Sequence, residues 1–181
     1  NELLIVASAG GGRVGANLLR AVLDAHTRLA KSRQLRLCVF TGPFMPEGEV
    51  FALKEKATSV PGVELSRFVT DFLSFLAAAD LSISMAGYNT CMNILAAEVP
   101  SLVWPFGQNQ EQRLRAQKLA ALGGLTLLNQ EDLEPSRLAV LMEKALKTGR
   151  DSVKPSVNLA GAEVTARWLE EWCDQEQGRK P

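Results

Sequence analysis

The sequence predicts a single α/β domain: a Rossmann-like, doubly wound parallel sheet of about six strands. Three observations predict it. Short apolar runs alternate with longer stretches of helical period. Those runs are apolar throughout, which marks strands covered on both faces. The length, 181 residues, is that of one ordinary domain, able to bury a core without staples. Residues 1–181 show no linker, internal repeat or low-complexity stretch, and only the tail, 175–181, reads as frayed.

Each element has its own signal. A strand over 3–7 leads into a glycine loop over 8–15, and Leu18, Leu19, Val22, Leu23 and Ala25 then follow helical spacing. The second strand, 35–41, is closed by Gly42-Pro43. A helix over 47–57 sets Val50, Phe51, Leu53 and Ala57 on related faces. Pro61-Gly62 is a turn signal before the third strand, 63–68. Asp71 is positioned to cap a short helix through Leu73, Phe75, Leu76 and Ala79. The fourth strand, 81–85, ends in a glycine turn at Ala86-Gly87, and a helix follows over 89–97. The fifth strand, 102–104, a helix over 110–122 and a short sixth strand, 125–128, come next. Pro135 suits the first turn of a helix that Gly149 ends. The last helix carries Val157, Ala160, Val164, Trp168 and Trp172, and the tryptophan pair reads as core packing.

Composition excludes several functions. Lys and Arg number 20 and Asp and Glu number 20, so nothing favours a nucleic-acid polymer or an anionic membrane surface. A single Tyr argues against a base-stacking platform. No apolar run approaches the ~18 residues of a membrane helix. The three cysteines, Cys38, Cys91 and Cys173, are scattered, which fits a reducing, cytoplasmic setting. One histidine and no thiol pair exclude a zinc site, so no metal is expected. His26 lies mid-helix among Leu23, Ala25 and Leu29 and reads as structural or exposed rather than catalytic. The chain enters its first strand almost at once after Asn1-Glu2, which suggests a piece of a longer protein.

The loop holds a GxGxxG at Gly10, Gly12 and Gly15, with Gly11 between the first two. It follows a strand and opens a helix, the context in which glycine amides approach a phosphate. A tight strand-to-helix turn without ligand uses the same residues. A nicotinamide dinucleotide is disfavoured, because the second strand ends Val39-Phe40-Thr41-Gly42 with no carboxylate for the ribose. No Lys-Ser or Lys-Thr follows the glycines, so a Walker loop is absent too. A second amide cluster lies after the fourth strand, at Met85-Ala86-Gly87-Tyr88-Asn89-Thr90, where Asn89 or Thr90 is placed to cap a helix. After the fifth strand, Glu111 and Gln112 put an acid beside an amide. That pair suits sugar hydroxyls, or equally a polar helix N-terminus.

Together these residues resemble a family. The stretch from Ser84 to Pro105, with Glu111-Gln112 and Arg115-Ala116 beyond it, looks like the donor-binding signature of GT-B glycosyltransferases. The likeness is to the C-terminal domain of family 28, the MurG-like type. Ser8-Ala9-Gly10-Gly11-Gly12, Thr41-Gly42-Pro43 with Met45-Pro46, and Ala86-Gly87-Tyr88-Asn89-Thr90 are similar to a bacterial group of predicted glycosyltransferases of unsettled substrate. The resemblance implies a nucleotide-sugar donor, a UDP-sugar above others, held by this half of a two-domain enzyme. Gly10 to Gly15 would approach the diphosphate, and Phe68-Val69 would lie beside the base. Gly87, Asn89 and Thr90 would serve the phosphates, and Glu111 and Gln112 the sugar. One departure stands out: the family's ribose-binding Glu, after the Gly87 turn, is matched here by Asn93. A neutral amide is a weaker acceptor for a hydroxyl than a carboxylate.

The resemblance also implies an absent N-terminal domain that holds the acceptor and any peripheral membrane contact. The reaction implied is sugar transfer with inversion, its diphosphate leaving group stabilised by amides and helix dipoles without metal. No cofactor is implied, since the nucleotide-sugar is a substrate. Family 28 enzymes cross their last helices onto the N-terminal domain, which offers the tryptophan pair a second role. Rival readings are a non-catalytic or partner-dependent nucleotide-sugar-binding module, a UDP-sugar epimerase, and last a nicotinamide oxidoreductase.

Overall fold

The computed structural model describes residues 2–150 and 157–177. Six parallel strands form one sheet: β1 (Leu3–Ser8), β2 (Leu35–Phe40), β3 (Val63–Ser66), β4 (Leu81–Met85), β5 (Ser101–Trp104) and β6 (Thr126–Leu127). Their order across the sheet is β3-β2-β1-β4-β5-β6. The helices are α1 (Ala16–Leu29), α2 (Glu47–Thr58), α3 (Phe72–Ala78), α4 (Tyr88–Ala97), α5 (Gln110–Ala121), α6 (Pro135–Thr148) and α7 (Gly161–Gln177). A short 3-10 turn, Gln130–Leu133, precedes α6. The expected doubly wound fold is present, and its order reverses between β1 and β4.

Helices cover the sheet from both sides because each strand offers apolar groups to both. From β1, Ile5 and Ala7 enter the core shared with α1, α2 and α6, while Val6 enters the core shared with α4 and α5. β4 and β5 are buried end to end, and β1 is buried from Ile5 onward. β3 differs from the expected continuous apolar strand. It alternates half-buried and exposed residues, because it is the sheet's edge. β6 is two residues rather than four, although Leu125 and Leu128 are buried and the Leu128 N–H still reaches the Val103 carbonyl at 2.9 Å.

Several local signals are met. The Asp71 carboxylate accepts the Ser74 N–H at 3.1 Å and caps α3. The Ser74 hydroxyl and then its backbone N–H hold that carboxyl below its ordinary value. Pro135 opens α6 and Gly149 ends it. Others are corrected. Phe51 and Leu73 are exposed, since α2 and α3 each present a single face to the core. Val157 and Ala160 precede α7, which begins at Gly161. Trp168 and Trp172 are not core: they are 68% and 61% exposed, on a helix whose apolar face has no covering element among the described residues. The tail is helical through Gln177, and the remainder lies outside the described residues.

His26 is fully buried, with Nε2 3.4 Å from the Pro61 carbonyl oxygen. Desolvation pushes its pKa below the ordinary 6.5, against the smaller raising effect of that carbonyl. The unfolded chain therefore binds a proton that the folded chain refuses, and stability falls as pH drops through 6.5 toward the folded value. Urea titrations should show a slope of at most about 1.4 kcal/mol per pH unit from this residue, removed in His26→Leu. Parallel curves for the two proteins between pH 7.5 and 5 would contradict this.

Candidate functional site

The reversal between β1 and β4 brings two chain turns together at the C-terminal ends of the strands. Ser8 and Ser84, the last paired residues, lie opposite each other. The glycine loop leaves β1, and the Ala86-Gly87 turn leaves β4. A Cβ placed on Gly10 would lie 3.8 Å from Thr90 Oγ1, so the loop and the first turn of α4 face each other at contact distance.

A cavity of about 310 Å³ opens there. Its walls include Gly10, Gly11, Phe68, Val69, Asn89, Thr90 and Asn93, together with Ser8, Phe40, Pro43, Arg67 and Phe72. The structure thus assembles seven of the residues singled out in the sequence, from three separate turns. One side is apolar, with Phe40 edge-on to Phe72 at 5.6 Å between ring centroids. The opposite side is the Asn89, Thr90 and Asn93 face of α4, which bears only neutral polar groups.

The backbone around this cavity carries free donors. Helix N-terminal N–H groups have no intrahelical partner and need a side chain, water or ligand. Asp71, Asn109 and Glu134 cap α3, α5 and α6 through their side chains. The N-caps of α1 and α4 are Gly15 and Gly87, which supply no side-chain cap, and neither first turn contains an acid. The expectation that Asn89 or Thr90 caps α4 is therefore corrected. Both lie inside its first turn because the helix begins earlier, at Tyr88. The α4 start faces this cavity through Asn89 and Thr90, while the α1 start, with Ala16 and Asn17, faces a cleft on the other side of the glycine loop. Each positive helix end thus opens on a cleft without a side-chain cap of its own.

The glycine loop is braced by a second loop. The Phe44 N–H donates to the Gly11 carbonyl at 2.9 Å, and Gly42 N–H to the Arg67 carbonyl at 2.8 Å. Gly42 has φ +87, and a Cβ on it would stand 2.3 Å from the Gly10 carbonyl oxygen and 2.6 Å from Gly12 N. Gly12, at φ +86, would reciprocally strike the Thr41 carbonyl oxygen at 2.3 Å. Neither can carry a side chain while the loops interlock.

The other singled-out residues lie around this centre. Gly12 and Gly15 border a second cleft, about 260 Å³, on the far side of the loop with Trp104 and Phe106. Met85 is buried beneath Gly15. Tyr88 is exposed, with the Arg115 guanidinium over its ring at 5.2 Å. Glu111 is exposed and paired with Arg115, whose other nitrogen donates to the Ala86 carbonyl at 3.2 Å. The Gln112 side-chain oxygen accepts the Phe106 N–H at 3.2 Å. Glu111 and Gln112 are therefore tied to the α4 turn and the β5–α5 loop, outside the walls of the Asn93 cavity. Sequence reading missed Arg67, and it placed Ser8 in the glycine loop without giving it a role of its own. The Arg67 guanidinium pairs with Glu47 at 2.5 Å, and the Ser8 hydroxyl accepts the Gly10 N–H at 3.0 Å. For Arg67, its position beside Phe68 was the one signal in the sequence.

A doubly wound sheet with its crevice at the strand-order reversal defines a Rossmann-like domain of the class that receives ligands there. Residues 6–165 match the family model described as the glycosyltransferase family 28 C-terminal domain, and the chain belongs to that family. It is similar to the UDP-N-acetylglucosamine--N-acetylmuramyl-(pentapeptide) pyrophosphoryl-undecaprenol N-acetylglucosamine transferase of Agrobacterium fabrum. Identity is 27% over 159 residues, 87% of this chain and 41% of the relative. Among solved structures, Acinetobacter baumannii MurG superposes with TM-score 0.66 at 23% identity, covering 84% of this chain and 43% of its own. A Methanocaldococcus jannaschii UDP-GlcNAc 2-epimerase, in complex with UDP-GlcNAc and UDP, gives 0.68 at 14%, covering 94% and 46%. The family match and these likenesses identify a MurG-like GT-B C-terminal domain. The chain spans about two fifths of the length of its curated relatives.

Proposed function

We propose that this domain holds the nucleotide diphosphate of a sugar donor, a UDP-sugar above others, in a glycosyltransferase. The observation that carries the proposal is the switch-point cavity, where an apolar shelf meets the glycine loop and the uncapped start of α4. The base lies against Phe68, Val69 and Phe72. The diphosphate lies between the glycine loop, Gly10 to Gly15, and the first turn of α4, Gly87 to Thr90. As the glycosidic bond breaks, negative charge grows on the diphosphate. Fixed amides of the glycine loop and the α4 dipole stabilise it without reorganising, and no metal is invoked. Relatives named for transfer of N-acetylglucosamine from its UDP donor support the reading.

The acceptor belongs to an N-terminal domain, as the relatives' greater length supports, and exposed Trp168 and Trp172 supply apolar surface toward it. Three free cysteines support a cytoplasmic setting. Among the described residues no helix is long and apolar enough to cross a membrane. Thermal-shift titration with UDP, GDP, dTDP and their sugars tests the site: UDP-sugar should raise Tm, and silence from every nucleotide would refute it. Glu111 reaches the sugar from its Arg115 brace, so Glu111→Ala should weaken a UDP-sugar about tenfold and UDP alone hardly at all. Equal losses for both would remove Glu111 from the sugar subsite.

A further inference from the structure

The α4 face that looks into the cavity is built from Asn89, Thr90 and Asn93, with Ser8 at its foot. Among the described residues no wall residue of the cavity is a carboxylate, and the one charged residue there, Arg67, is a cation held by Glu47. Nor does β2 end in an acid: the chain there runs Phe40-Thr41-Gly42-Pro43. Rossmann-like sites that insist on a ribose use a carboxylate at such a position, which accepts strongly from the 2′-hydroxyl. A site committed to a hydroxyl in that way rejects the analogue lacking it, because its own buried acceptor is left unpaired. Asn93 is a different instrument. It is half-buried rather than sealed, it is neutral, and its amide offers both donor and acceptor. When the 2′-hydroxyl is missing, an exposed edge of the amide keeps its bond to water, and little is lost.

We propose that the pocket does not discriminate strongly at the 2′ position, and that it accepts 2′-deoxyribonucleoside diphosphates alongside ribonucleoside diphosphates. The inference rests on the proposed donor site and names a property of its sugar-ring subsite. The shelf of Phe68, Val69 and Phe72 grips the base whichever pentose is attached. The amides of the glycine loop and α4 grip the diphosphate, which is the same in both. The pentose edge is the only part of the ligand that differs, and no carboxylate among the described wall residues meets it.

The test is calorimetric titration of the chain with UDP and with dUDP, which share a base and differ in one hydroxyl. The expected result is affinities within about tenfold of each other, the scale of one neutral hydrogen bond. A preference for UDP larger than about tenfold overturns the inference while leaving the donor site intact. Failure of both to bind refutes the donor site and the inference together. A second arm uses Asn93→Glu, its folding checked by circular dichroism. A carboxylate there should raise the UDP-to-dUDP affinity ratio by at least about threefold, through loss of dUDP or gain of UDP. A smaller change would take Asn93 off the pentose.

Discussion

Gly42→Ala is expected to cost about 4 kcal/mol and, with it, nucleotide binding. The added methyl has no escape: it points at the Gly10 carbonyl, Gly11 and Gly12 N, all of them backbone. The left-handed φ at Gly42 adds its own strain. Relief requires the two loops to separate, which breaks the Phe44-to-Gly11 hydrogen bond and moves the amides that face the cavity. In a domain of this size the loss should lower Tm by roughly 10 °C. Gly48→Ala is the control. That glycine lies inside α2, where a Cβ meets nothing within 4 Å, so alanine should leave stability unchanged or raise it by about 0.5 kcal/mol. Urea denaturation of the two variants decides the matter, and equal stabilities would refute the interlock.

The second large effect lies at the opposite end of the domain. The Arg150 guanidinium donates to the carbonyls of Leu76, Ala77 and Ala79 at 2.8, 2.5 and 2.7 Å, and to Ala97 at 2.8 Å. Those oxygens are the C-terminal ends of α3 and α4, where helix dipoles are negative and carbonyls lack partners. Arg150→Met should therefore cost about 3 kcal/mol, the scale of a charge-assisted bond plus the carbonyls it strands. Arg150→Lys should recover less than half, since a single ammonium cannot fork across two helix ends. Full recovery by lysine would show that charge alone suffices. Because α4 also forms a wall of the cavity, the Met variant should weaken UDP binding without touching any group near it.

What the sequence disclosed was local or periodic. The apolar runs of β1, β2, β4 and β5 announced themselves, and the glycine loop between β1 and α1 marked the site's centre. Asp71 and Pro135 worked as helix starts because their action needs only the next three residues. The missed features depend on neighbours remote in sequence. Nothing in Thr41-Gly42-Pro43 reveals that Gly42 leans on Gly10, some thirty residues away, since only the β1–β2 pairing brings them together. Arg150 forks across helices whose ends lie 53 to 74 residues earlier. Trp168 and Trp172 looked like core by composition, yet apolar spacing cannot say which chain supplies the partner surface. Glu111 and Gln112 were found as a pair, but their separate hydrogen bonds, one to Arg115 and one to Phe106, emerge only when α5 is packed.

The uncapped starts of α1 and α4 have a consequence for how such a domain changes over generations. A grip made of main-chain amides has no side chain to lose, so most substitutions nearby leave it standing. In the proposed donor site, the residues assigned to the rest of the ligand, Asn93 on α4 and Glu111 on α5, belong to the side-chain layer instead. On that proposal, recognition of the sugar and the pentose is free to drift, one residue at a time, while the hold on the diphosphate stays put.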